Sequence, residues 1–340
     1  AEAIKKRDMA VSSHIRDEGE GLLDALREFI SIGERTGCRL RISHLKAMWK
    51  KNWNTLDRAL EYISKKISEG VDITADRYPY TAASTGLDHL LPEEFFEGGR
   101  EKTLERLKNE SLRATIENHI FKKYGETVFE DVQVGFIPSA GELGKYFGMR
   151  VSEIAEEMGR DPFSVYVDIL VQSGLHASAV YHGMSESNLE KIFRLPFVCA
   201  ASDALYRSRY GVTSQGKPHP RGYGTFARYL GRYVREKKVL SLEDALHRIT
   251  AFPAETFRIR GRGLLRKGFK ADVTLFDPGR IIDRATFEDP HRYSEGVEYV
   301  ILNGVVVVER GKLTGVKAGR VIRAVSYTHL RAHETSLHLV

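Results

Sequence analysis

Cysteine is scarce in this chain: among 340 residues only Cys38 and Cys199 occur. Two thiols cannot build a disulfide framework, so a reducing cytoplasm is the expected setting. Long apolar runs are missing too. No stretch approaches the roughly 20 residues that a membrane span needs, and none reads as a secretory signal. Charge is not concentrated either. The formal +6 is spread along the sequence, which gives little support to a nucleic-acid partner and none to a membrane surface. Residues 1–8 contain no methionine and run almost at once into a core-like strand. That is the appearance expected of a chain without its N-terminal part, or of a trimmed native terminus. The remaining composition, 42% hydrophobic and 29% charged, is that of a globular protein with ample core.

Within that composition one arrangement stands out. Residues 9–14 form a strand-like run closing on His14, and residues 41–46 form another that reaches His44 and then Lys46. Between them, residues 21–37 place Leu22, Leu23, Leu26, Phe29 and Ile30 at three- and four-residue spacing, the pattern of an amphipathic helix. Strand, helix, strand makes a βαβ unit with parallel strands. Both histidines are then expected at the carboxyl edge of the sheet, where parallel α/β folds carry their chemistry. A single strand-end histidine is commonly structural. Two on neighbouring strands can converge on one metal ion.

Further along, residues 55–69 predict a second helix ended by Gly70, and residues 71–76 a third strand. The strand leads into a hydroxyl-rich loop at 77–86, either a substrate-contacting loop or a tight turn packed by its own aromatics. Residues 91–163 read as a charged, largely helical insertion with one strand near 132–137, serving as a lid or an oligomer contact. Asp161 and Pro162 mark a helix start. Residues 176–182 and 197–203 read as strands ending in His182 and Asp203. A short helix at 186–193 makes them a parallel pair, which would bring both side chains to the rim that holds His14 and His44. Residues 217–226 read as a Pro/Gly loop before a helix at 227–237. Beyond 261 the pattern turns β-rich, with strands near 271–276, 298–302 and 305–309. Asn303-Gly304 signals a type I′ hairpin between the last two. Residues 326–340 match nothing before them, resemble an adapter-derived translation, and are set aside as non-native despite His329 and His333 at i, i+4.

Taken together, these residues resemble the N-acyl-D-amino-acid deacylases (D-aminoacylases) of the amidohydrolase superfamily. The most specific pieces are Ser13-His14-Ile15-Arg16-Asp17-Glu18-Gly19, Ile42-Ser43-His44-Leu45-Lys46, Ala75-Asp76-Arg77-Tyr78-Pro79-Tyr80-Thr81, Ala201-Ser202-Asp203 and His219-Pro220-Arg221-Gly222-Tyr223-Gly224-Thr225-Phe226. The resemblance implies the second half of a distorted (β/α)8 TIM barrel over residues 1–260, with a β-sandwich piece at 261–325. It implies zinc held by His14, His44 and Asp203. Zinc lowers the pKa of bound water to about 7 and polarises an amide carbonyl, and Asp203 would serve as general base and then acid. Lys46, Tyr78 and Ser84 match positions that hold the substrate's carboxylate, and His182 and Arg16 would stand behind the metal ligands. The implied reaction splits N-acyl-D-amino acids, small-molecule substrates, into a carboxylate and a free D-amino acid.

One element of the family pattern is missing. The His-X-His pair expected on a first barrel strand occurs nowhere in this sequence, and Cys38 opens the strand ending at His44, at the wrong end to serve as the anionic ligand. Impaired activity is therefore expected of the chain as it stands, and unpaired strand edges predict poor solubility. A dihydroorotase- or hydantoinase-like cyclic-amide hydrolase would share the histidines and aspartate. A basic, non-catalytic binding module is the more distant alternative. The preferred acyl group, the preferred D-amino acid and the oligomeric state are left open.

Overall fold

The computed structural model describes residues 9–322, so the tail at 326–340 lies outside the described residues. The chain opens on β1 (Ala10–Ser13), α1 (Leu22–Thr36), β2 (Arg39–Ile42), α2 (Thr55–Ser68) and β3 (Ile73–Arg77). In α1 the apolar stripe buries Leu22, Leu26, Phe29 and Ile30, and Gly37 caps the helix in the left-handed conformation at φ 65°. The three strands pair in parallel, Ala10 opposite Arg39 and Leu40 opposite Ile73. Helices α1 and α2 pack their buried residues with those of the strands into one core.

The chain then leaves this sheet. β4 (Ala83–Gly86), α3 (Arg100–Lys108), α4 (Glu110–Tyr124), β5 (Val132–Phe136), α5 (Val151–Met158), α6 (Pro162–Gln172) and β6 (Ser178–Tyr181) follow in order. Asp161 caps α6 by accepting the Ser164 N–H, with Pro162 in the first turn. Strands β4, β6 and β5 form a separate antiparallel sheet, which packs with these helices around a second core. After α7 (Glu186–Arg194), β7 (Val198–Ala200) returns to the first sheet and pairs in parallel with β3. The parallel sheet thus has the order β1-β2-β3-β7, with β1 and β7 at its edges among the described residues.

This corrects the sequence reading in two places. Residues 176–182 and 197–203 are not parallel neighbours: β6 runs antiparallel to β4 and β5, in a different sheet from β7. A strand's own pattern shows that it is a strand but not which partner it takes. The partner here, β4, was hidden in the hydroxyl-rich loop. Accordingly the excursion is built on a sheet as well as helices, and it begins at β4 rather than near residue 91.

The rest is α8 (Arg221–Arg228), running directly into a π-helical stretch (Tyr229–Glu236), then α9 (Leu242–Ile249) and α10 (Ala251–Thr256). An antiparallel sheet of β8 (Val273–Phe276), β9 (Val297–Leu302), β10 (Val305–Glu309) and β11 (Lys312–Leu313) ends the described chain. Asn303 and Gly304 turn β9 into β10 with φ of 51° and 83°, as a type I′ turn requires.

Candidate active site

Because β1, β2, β3 and β7 are parallel, their carboxyl ends share one edge. His14 directly follows β1, His44 lies two residues past β2, Tyr78 directly follows β3, and Asp203 lies three past β7. The His14 and His44 rings stand 5.8 Å apart, edge to face. His44 has φ 42° and Asp203 φ 48°, conformations costly for residues bearing a Cβ. At His44 the strain is held by Asp76. Its Oδ1 accepts the His44 backbone N–H at 2.8 Å, and its Oδ2 accepts Arg41 Nε–H at 3.1 Å.

Glu18 braces the histidine from the other side. Its Oε1 lies 2.7 Å from His44 Nδ1 and 2.5 Å from Lys46 Nζ, with Nζ also 3.1 Å from the His44 carbonyl. Burial pushes the Glu18 carboxyl up. The charge of Lys46 and hydrogen bonds from His44 and Lys46 outweigh that and hold it down to about 2. Lys46 Nζ also lies 2.8 Å from His44 Nδ1, so this ring nitrogen meets an ammonium and a carboxylate oxygen together. With its proton on Nδ1 the ring donates to Glu18, an arrangement common at metal-binding histidines. Lys46 is buried, and its ammonium stands 5.9 Å from the Tyr78 ring.

Asp203 is tied by Arg221, whose Nη1 lies 2.8 Å from Oδ2. The same guanidinium stacks 4.6 Å over the fully buried Tyr78 ring and donates from Nη2 to the Ser84 carbonyl at 3.3 Å. Arg221 therefore joins Asp203, Tyr78 and Ser84, and Tyr78 in turn lies beside Lys46. Two adjoining cavities open here. One of about 440 Å³ is lined by His14, Glu18, Asp88, His89 and Lys123, and one of about 260 Å³ by Ser84, Asp203, His219 and Arg221; Thr85 borders both.

The other two expected residues stand elsewhere. Arg16, though it borders the larger cavity, forks onto Glu28 of α1 through Nε and Nη2 at 2.8 and 2.7 Å. His182 follows β6, in the antiparallel sheet. Its Nε2 meets Gln133 Oε1 at 3.0 Å and its ring packs 4.7 Å from Phe287. Burial lowers its pKa to about 4.

Comparison with known proteins decides the family. An amidohydrolase family model matches residues 198–308. The N-acyl-D-glutamate deacylase of Alcaligenes xylosoxydans xylosoxydans is 32% identical over 92% of this chain and 54% of its own length. A crystal structure of N-acyl-D-glutamate deacylase from Bordetella bronchiseptica, complexed with zinc and a phosphonate inhibitor, superposes with TM-score 0.73. It shares 31% identity and covers 95% of this chain and 57% of that one. A D-aminoacylase with a binuclear metal center superposes at 0.70, with 29% identity over 92% of this chain and 56% of that one. The chain belongs to the D-aminoacylase family. It spans about half the length of the relatives it matches.

For this D-aminoacylase-family chain the histidine pair fits a shared metal. Two imidazoles bound to one ion at about 2.1 Å hold their centroids about 5 Å apart, close to the 5.8 Å observed. The fit stops at two donors. Among the described residues no group of three or more His, Cys, Asp or Glu is arranged to hold a metal ion, and Asp203 is engaged by Arg221. Glu18, Asp76 and Arg221 lie inside the motifs that carry the family resemblance, and their roles emerge only from the fold. The acidic Asp17-Glu18 pair just past a strand-end histidine was the available signal for Glu18. His89, which shares the larger cavity with His14, carried none.

Proposed function

We propose that the chain carries part of the catalytic domain of a zinc-dependent N-acyl-D-amino-acid deacylase. Its parallel sheet is read as a segment of a (β/α)8 barrel that extends to about residue 260, and the described residues from 261 onward as a β-sandwich piece. The observation that carries the reading is the His14–His44 pair, braced by Glu18 and set on the sheet edge that also carries Asp203. The zinc-complexed relative supports the choice of metal. Zinc bound there would supply an activated water and a polarised carbonyl.

This chain's residues do the rest. His14 and His44 would ligate, with Glu18 against Nδ1 of the His44 ring. Asp203 takes a proton from the attacking water and returns it to the departing amine. Lys46, Tyr78 and Ser84 are assigned to the carboxylate of the D-amino acid, which would have to draw the buried Lys46 ammonium from its contact with Glu18. With two metal donors of its own where catalytic zinc sites use three, the chain alone holds zinc weakly and turns over slowly.

The test is turnover of N-acetyl-D-glutamate, N-acetyl-D-aspartate and neutral N-acetyl-D-amino acids, against their L-enantiomers and a hydantoin. The zinc-supplemented chain is expected to release acetate from D-substrates only and to stop on chelation. Hydrolysis of the hydantoin in preference would move the assignment to a cyclic-amide hydrolase. Equal turnover of both enantiomers would sink the proposal.

A further inference from the structure

His219 is a buried histidine that the reaction as described does not use. It sits between Pro218 and Pro220 and is only 4% exposed. Its Nε2 lies 2.9 Å from the Ala82 carbonyl, and its Nδ1 accepts the Arg221 backbone N–H at 3.0 Å. One tautomer satisfies both contacts: the neutral ring with its proton on Nε2, since a proton on Nδ1 would oppose the Arg221 N–H. Tyr78, Tyr80 and Phe287 close around the ring at 6.0, 5.1 and 5.1 Å. Burial and the neighbouring Arg221 charge push the imidazole well below its usual pKa, in keeping with the neutral form.

The place of this ring matters. Ala82 belongs to the loop between Tyr78 and Ser84, and Arg221 is the residue whose guanidinium meets Asp203, Tyr78 and Ser84. The imidazole therefore fastens the backbone from which Arg221 departs to the loop on which Arg221 acts, across 137 residues of sequence.

We infer that His219 is a positioning residue, a fixed-tautomer clamp whose Nδ1 sets the backbone of Arg221 and so aims its guanidinium at Asp203 and the Tyr78–Ser84 loop. The inference deepens the deacylase reading and rests on it for its consequence in substrate binding. Its structural half stands without it.

Three variants of the full chain separate the contacts. His219→Phe keeps a ring and loses both hydrogen bonds. His219→Asn keeps an acceptor suited to the N–H two residues on. His219→Gln keeps a donor toward Ala82. The first readout is the signal of the Arg221 Nη–H groups, which meet Asp203 and the Ser84 carbonyl, in nitrogen-15 spectra, assigned through Arg221→Lys, and the second is affinity for N-acetyl-D-glutamate by calorimetry. The Arg221 signal should be protected in the parent and in His219→Asn and lost in His219→Phe. Affinity should fall about tenfold in His219→Phe, the scale of one net hydrogen bond, and recover to within about threefold in His219→Asn. A His219→Phe variant that melts with the parent and keeps the protected signal overturns the inference. So does rescue by Gln but not by Asn, which would assign the effect to the Ala82 tether. A protected signal in a parent that binds no N-acetyl-D-glutamate counts against the deacylase reading and leaves the clamp in place.

Discussion

Single residues at this sheet edge are held in shapes they would not choose alone. His44 and Asp203 both adopt left-handed backbone at strand ends, where a Cβ is disfavoured by roughly 1–3 kcal/mol. Asp76 and Arg221 supply the restraining contacts. The histidines and the aspartate could be singled out from sequence because strand-final position is a one-dimensional signal. Their supports could not, since Asp76 acts on His44 across neighbouring strands and Arg221 reaches Asp203 only through the fold. His182 illustrates the opposite error: its strand-final position was real, but the strand belongs to another sheet. Its buried ring makes a prediction. With a folded pKa of about 4 against about 6.5 unfolded, the unfolded chain binds a proton that the folded chain refuses between those values. Stability should therefore be full above pH 6.5 and fall as pH drops toward 4, by on the order of 2–3 kcal/mol. Urea unfolding of His182→Phe over that range should show a shallower pH slope than the parent; an unchanged slope would remove His182 from the account.

Among the elements, α1, α2 and the β9–β10 hairpin were legible, because apolar spacing, glycine stops and the Asn-Gly turn are local signals. The start of α8 was not. Gly222 and Gly224 made residues 217–226 look like a loop, whereas the helix begins at Arg221. Gly224 serves close approach: a Cβ there would come within 2.5 Å of the Tyr80 hydroxyl and 2.6 Å of Asp283 Cβ. Gly231, in the π-helical stretch, plays the same part against the Ile281 carbonyl and the Ile282 side chain. Its replacement by alanine should force this stretch off the 281–282 backbone, costing about 1–3 kcal/mol as other overpacked sites do. A thermal melt lowered by several degrees is the expected result. A Gly231→Ala protein as stable as the parent would show that the contact yields easily.

Across the whole molecule, the parallel sheet has β1 and β7 as its edges among the described residues, and the terminal sheet leaves apolar side chains in solvent. Leu275, Val305 and Leu313 are 47%, 41% and 58% exposed. Open edges and apolar faces associate. Light scattering should therefore show concentration-dependent self-association of the isolated chain, reduced by Val305→Lys with Leu313→Lys. A monodisperse monomer at all concentrations would contradict this. Among the described residues no helix is long and apolar enough to cross a membrane. The sequence conveyed the α/β class and the β-rich end, while the second antiparallel sheet depended on long-range pairing it does not display.

X-ray absorption at the zinc edge addresses the His14–His44 pair directly. The zinc-loaded chain should show two histidine nitrogens at about 2.0–2.1 Å, with uptake lost in both His14→Ala and His44→Ala. Zinc bound equally well by those two variants, or a spectrum without imidazole ligands, would contradict it.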